Sequence, residues 1–193
     1  MSIQSSVHRG ILGFVGALVI GALSLGGASS VLAGSSTTSV TQQITAGTLT
    51  ASIGAGSLNT IPYSNGSQIT TGTVHLDVVD ATGSSGGWNV VVSSSAFVYG
   101  GTSPSGIAIP APNFSISLAH APSVDAGQVI DAVGGPKVVG GGSLDLARKT
   151  IQANSKFGSG SYGQDLDLSL NVPALSQAGT YTATLTVAIS VGP

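Results

Sequence analysis

The chain has 193 residues, no cysteine and a formal net charge of −2; 6% of its residues are charged, against roughly 25% in an ordinary soluble domain. So few cations cannot neutralise a run of phosphates, which argues against nucleic acid as a partner, and the missing thiols exclude disulfides and thiolate metal sites. Hydrophobic residues still make up 41% of the chain, too many for a disordered polymer, so it is expected to fold.

At the N-terminus, His8 and Arg9 give a weakly basic start, residues 11–25 form an uncharged apolar run, and small residues follow, ending in Val31-Leu32-Ala33. That is the three-part layout of a secretory signal, so residues 1–33 are expected to be removed after Ala33. The run is short for a membrane span, which needs about 20 residues. No later stretch is apolar enough, so no membrane span is expected after cleavage. Residues 34–48 are expected as an extended N-terminal segment and residues 49–193 as one β-domain. Past the signal, Lys137, Arg148, Lys149 and Lys156 stand against aspartates alone, for there is no glutamate. A surface of Ser, Thr, Asn, Gln and Gly repels its own copies little and favours packing into a wall or an assembly.

Period-two alternation, which places every other side chain on one face of a strand, dominates the rest. Leu49, Ala51 and Ile53 alternate first, then Val74, Leu76 and Val78 within residues 73–80. A Gly-Ser turn at 83–87 leads to Trp88, Val90 and Val92. After a proline-punctuated loop at 99–112 come Phe114, Ile116 and Leu118. Residues 119–142 are expected as a long loop, with 134–142 flexible unless a partner holds it. Residues 143–157 read both ways: Leu144, Ala147, Arg148 and Ile151 suit a short helix, and 149–154 suit a strand. Residues 158–163 are expected as a loop. In 165–172, Leu166, Leu168, Leu170 and Val172 face inward while Asp165, Asp167, Ser169 and Asn171 face out. In 180–191, Tyr181, Ala183, Leu185, Val187, Ile189 and Val191 face inward against a threonine-rich outer face, and threonine is a good strand former because it is β-branched. Short strands between Gly, Pro, Ser and Asn clusters predict an all-β fold, an antiparallel β-sandwich with long Gly/Ser-rich loops.

Most motif matches lack the setting their chemistry needs. Gly83-Ser84-Ser85-Gly86-Gly87 fits the nucleophile elbow, but that motif works on a strand-to-helix turn and here a strand follows. Gly158-Ser159-Gly160-Ser161-Tyr162-Gly163 fits the dinucleotide pattern without a βαβ unit or a helix to hold the pyrophosphate. His75 and Asp77 share one strand face, which reads as a solvated face before it reads as part of a triad. His120 has no acidic neighbour in sequence. Asp165 and Asp167 offer the oxygen chemistry calcium takes, without the further ligands of a loop site. Arg148-Lys149, the one basic pair, suits a solvated loop or an anionic wall polymer. Asn65-Gly66-Ser67 and Asn113-Phe114-Ser115 fit the glycosylation acceptor, which a bacterial setting would leave unused. Trp88 reads as a core anchor or as an aromatic platform for a sugar ring. No catalytic residue, cofactor or metal is expected.

Gly87-Trp88-Asn89-Val90, after Val78-Val79-Asp80-Ala81-Thr82-Gly83, resembles the first motif of the WxL-domain cell-surface proteins of Gram-positive bacteria. Asn171-Val172-Pro173 and then Ala178-Gly179-Thr180-Tyr181-Thr182-Ala183-Thr184-Leu185-Thr186 resemble that family's closing strand. The similarity spans residues 76–190. Val90 stands where leucine is usual, and Val187-Ala188-Ile189 stands where Trp-x-Leu would follow. The resemblance implies a secreted protein attached non-covalently to peptidoglycan or another wall polymer, with Trp88, Val90, Val187 and Ile189 as the motif positions. The second expectation is a subunit of an extracellular filament or surface layer, in which residues 34–43 add as a strand to a neighbour's open sheet edge. An envelope hydrolase comes third, for want of an acid–base pair.

Overall fold

The computed structural model describes residues 36–193; the expected signal and its cleavage after Ala33 lie outside the described residues. Residues 43–193 group into one compact unit. Residues 36–48 are exposed, apart from any regular element.

Among the described residues, thirteen strands follow in chain order: β1 Leu49–Ile53, β2 Ser57–Leu58, β3 Gln68–Asp80, β4 Trp88–Ser94, β5 Val98–Tyr99, β6 Phe114–Ala119, β7 Ser123–Gly127, β8 Lys137–Val138, β9 Gly142–Ser143, β10 Arg148–Ala153, β11 Gly160–Val172, β12 Tyr181–Thr182 and β13 Leu185–Val191. A 3₁₀ turn, Ala111–Asn113, precedes β6. The larger sheet runs β1-β3-β11-β6-β9, with β2 continuing the edge beside β3 and β7 beside β11; the smaller runs β13-β4-β10-β8, and β12 pairs with β5. All the pairings are antiparallel, and the protein is an all-β sandwich.

The two thirteen-residue strands β3 and β11 are the spine, in continuous register from Gly160 opposite Asp80 to Val172 opposite Gln68. Alternation turns Val74, Leu76 and Val78 of β3 and Leu166, Leu168 and Leu170 of β11 to one face. There they meet Trp88, Val90 and Val92 of β4 and Ile151 and Ala153 of β10, all buried. Apolar area taken from water drives this packing, each such side chain contributing roughly 1.5–3 kcal/mol. The ambiguous stretch 143–157 resolves as a strand: β10 pairs with β4, with a register shift between Lys149 and Ile151.

Four expectations are corrected. Residues 160–163, expected as loop, begin β11 and pair on both sides, with β3 and with β7. Gly160 and Gly127 stand opposite each other, and a β-carbon on Gly127 would come within 2.6 Å of the Gly160 Cα; the glycines that looked like loop permit this close approach. The expected loop 119–142 carries β7 and β8, and Asp131 accepts hydrogen bonds from the N–H groups of Val133 (2.9 Å) and Gly134 (2.6 Å) to shape the turn between them. Leu118, expected inside, is 52% exposed, and Ala119 is buried instead. Asp167 pairs with Leu118 and Leu168 with Ile116, so Ser117 is an extra residue and reverses the phase beyond it. Residues 180–191, expected as one strand, divide: β12 pairs with β5 and β13 with β4, although the inward–outward alternation runs on to Ser190.

The edge strands β1 and β13 pack beside each other on one side of the sandwich without forming a ladder. Their inward residues Leu49, Ala51, Ile53, Leu185, Val187 and Ile189 are therefore only partly buried.

Candidate binding cleft

A cleft of about 490 Å³ opens where β3 begins and β11 ends. Its floor is core: Phe97, Ile109 and Leu170. Its walls are two uncharged segments, residues 58–64 and 176–181, and no charged side chain lines it among the described residues. Local hydrogen bonds set both walls. Asn59 N–H donates to the Thr71 carbonyl (2.8 Å) and Thr70 Oγ1 to the Asn59 carbonyl (2.6 Å), extending the edge of the larger sheet past β2. Leu175 N–H donates to the Ser64 carbonyl at 3.2 Å and so ties one wall to the other.

Two tyrosines face this space. Tyr63 is 57% exposed. Tyr181 is half-buried, packs its ring 5.2 Å from that of Tyr99, and donates its hydroxyl to the Gln177 carbonyl at 3.0 Å. Burial first, and then the neighbouring Tyr99, pushes the Tyr181 hydroxyl above its ordinary pKa of 10.0, so it stays a neutral donor. Tyr99 Oη in turn donates to the Ala178 carbonyl (2.9 Å), and Ser103 Oγ donates to Gln177 Oε1 (3.2 Å), which orients that amide. An accessible aromatic face beside amides and hydroxyls, without ions, suits a neutral, hydroxyl-rich ligand such as a sugar ring.

The residues singled out from sequence lie elsewhere. Trp88 is fully buried, donates its indole N–H to the Gly158 carbonyl at 2.8 Å, and packs its ring 6.0 Å from that of Tyr162. Val90 is fully buried beside it. Val187 and Ile189 are half-buried on β13, opposite Val92 and Val90. The four motif positions thus fall on two neighbouring strands of the smaller sheet. Trp88 and Val90 are core, and neither reaches the cleft.

The outer face of the larger sheet gathers most of the remaining chemistry. His75 Nδ1 lies 2.6 Å from Asp165 Oδ1, and its Nε2 lies 3.4 Å from Asp77 Oδ1. The hydrogen bond to Asp165 raises the His75 pKa above 6.5, partial burial opposing and Asp77 assisting. His120 Nε2 lies 3.0 Å from Asp167 Oδ2, and Thr73 Oγ1 donates to Asp167 Oδ1 at 3.1 Å. These contacts hold the Asp167 carboxyl below its usual range. Both histidines are about half exposed, and among the described residues no group of three or more His, Cys, Asp or Glu side chains is arranged to hold a metal ion. Arg148 Nε donates to the Ser143 carbonyl and Lys149 Nζ to Gln152 Oε1. The Gly83–Gly87 segment leads into β4, not a helix, and the Ser85 carbonyl accepts from Lys156 N–H at 2.8 Å. Asn113 Nδ2 donates to the Asn171 carbonyl at 2.9 Å.

Sequence reasoning missed the cleft. Tyr181 looked like one more inward strand residue, and Tyr63 sits in an irregular stretch where no period marks it. The one available signal was an uncharged, aromatic-bearing loop, Pro62-Tyr63, beside the Asn65-Gly66-Ser67 turn.

Fold and cleft together define an all-β sandwich with an uncharged aromatic groove at one end. No family model, curated protein or solved structure matches the chain. Among the described residues, no helix is long and apolar enough to cross a membrane.

Proposed function

We propose that this is a secreted cell-surface protein that attaches non-covalently to the cell wall, gripping the glycan of peptidoglycan in the uncharged cleft. The observation that carries the proposal is the lining: Tyr63 and Tyr181, with Asn59, Gln68 and Gln177, over an apolar floor and without a charged group. Sugars present axial hydrogens to aromatic faces and hydroxyls to amides, and both complements are present. The signal-like N-terminus and the resemblance to WxL-domain proteins point to the same place. Trp88, Val90, Val187 and Ile189 then serve the sheet that supports the domain, and the glycan meets the loops.

The test is calorimetric titration of the exported protein with soluble peptidoglycan fragments, repeated with Tyr63→Ala. Covering roughly 40 Å² of the Tyr63 ring is worth about 1 kcal/mol at ~25 cal/mol per Å², so affinity should fall roughly fivefold while the melting temperature holds. Unchanged affinity in Tyr63→Ala, with fragments bound, would exclude this cleft; no binding by the parent protein would exclude the wall reading.

A further inference from the structure

We infer that the outer face of the larger sheet carries a second binding site, a polar hollow around Asp167 that takes an amino sugar, a hydroxyl-rich ring bearing a free primary ammonium. The hollow has a volume of about 570 Å³ and shares Asn59 with the aromatic cleft. Its rim is polar: Ser57, Asn59, Thr71, Thr73 and Ser117 stand around one carboxylate, Asp167. No aromatic ring lines it among the described residues.

Strand register builds the site. Thr73 on β3 stands between Ser57 on β2 and Asp167 on β11, so one row crosses three strands, about 10 Å from end to end. Alternation turns Thr71 and Thr73 outward, and both are exposed. The bulge residue Ser117 adds its hydroxyl from β6 and donates it to the Asp167 backbone carbonyl at 3.1 Å. At the opposite rim, Asn59 Nδ2 donates to Thr71 Oγ1 at 3.3 Å, so the Thr71 hydroxyl keeps its own hydrogen to donate.

Charge selects the ligand. The Asp167 side chain is 36% exposed, and among the described residues its one ion-pair partner is His120. A carboxylate offers about four acceptor positions; Thr73 and His120 take two of them, and the rest are left for a ligand. The neighbouring pairs on this face, His75 with Asp77 and with Asp165, add carboxylates but no lysine or arginine. An ammonium meets such a carboxylate in a charge-assisted hydrogen bond, while ring hydroxyls meet the hydroxyl and amide rim. One carboxylate among neutral oxygens falls short of the ligand set calcium takes, and an anion would be repelled.

The inference rests on the wall reading only for the source of the ring, a wall glycan in which some amino sugars have lost their acetyl groups. The test is a two-dimensional NMR titration of isotope-labelled protein with a glucosamine oligomer, its N-acetylated counterpart and butylamine. Backbone amides of Thr73, Ser117 and Asp167 report the hollow, and those of Tyr63 and Gln177 report the cleft. At the hollow, the glucosamine oligomer is expected to bind roughly tenfold more tightly than either comparison ligand, and Asp167→Asn should lose that advantage. Its binding there should also weaken with added salt, as ionic contacts do. Asp145→Asn, an exposed carboxylate outside the hollow, should change nothing. The three-ligand comparison needs the parent protein alone, so it decides the matter even if Asp167→Asn fails to fold. A hollow silent to the glucosamine oligomer, an equal response to either comparison ligand, or unchanged affinity in Asp167→Asn overturns the proposal. A cleft silent to both oligomers counts against the wall reading instead.

Discussion

Replacing Trp88 tests whether its ring holds the sandwich together or meets a ligand. The indole is fully buried, packs beside Tyr162, and supplies the hydrogen bond to the Gly158 carbonyl. Truncating a buried tryptophan to alanine costs about 3–5 kcal/mol. Phenylalanine keeps much of the apolar volume but leaves the Gly158 carbonyl without its donor, a loss of about 1–3 kcal/mol. A domain of this size shifts by roughly 2–4 °C per kcal/mol. Trp88→Phe should therefore melt roughly 2–12 °C lower, and Trp88→Ala roughly 6–20 °C lower. Thermal unfolding followed by far-ultraviolet circular dichroism gives these shifts. As the chain's single tryptophan, Trp88 also reports on itself in the parent, where its emission should be blue-shifted and resistant to acrylamide quenching. Folded Trp88→Phe should still bind peptidoglycan fragments. A Trp88→Ala variant that melts with the parent and loses only ligand affinity would refute the core assignment.

Gly158→Ala strikes the same contact from the other side: the glycine sits at φ +82°, and a β-carbon there would stand 2.7 Å from Trp88 Nε1 and clash with Ala153. The melting temperature should fall and tryptophan quenching should rise; a neutral result would mean the hydrogen bond is not as placed. Ile116→Ala should cost about 2–5 kcal/mol and Leu118→Ser within about 0.5, because the bulge at Ser117 turns one inward and the other out; equal losses in urea denaturation would remove the bulge from the account. His75, with its pKa raised chiefly by the hydrogen bond to Asp165, favours the protonated form in the folded state. Its stabilisation is full below pH 6.5 and is lost as pH rises through the raised folded value. Proton NMR titration should place His75 above 6.5, and Asp165→Asn should bring it down; a value at or below 6.5 in the parent contradicts the pairing.

What sequence made legible was whatever depends on local period. Residues 165–172 and 73–80 alternate cleanly because both strands sit centrally in a sheet with one buried face, and the period names that face directly. At β13 the alternation was equally clear, but depth was not: an edge strand buries its inward residues only by half, and edge position depends on partners far along the chain. Leu118 was misplaced because a bulge is a property of two strands, set by the count of residues opposite one another. Gly160 and Gly163 looked like loop since the same residue that frees a turn also lets three strands approach closely. The His120–Asp167 contact joins residues 47 positions apart, and no spacing rule reaches across a sheet. The cleft was hidden for a related reason: Tyr63 comes from an irregular segment and Tyr181 from the two-residue strand β12, far apart in the chain and brought to one opening only by the fold.

The most direct measurement of the proposed wall attachment is co-sedimentation of the protein with purified peptidoglycan across a salt series. Binding through an uncharged lining should persist at 1 M salt, where charges are screened beyond about 3 Å, and should weaken in Tyr63→Ala. Protein that stays in the supernatant, or that pellets only at low salt, would contradict attachment through this cleft.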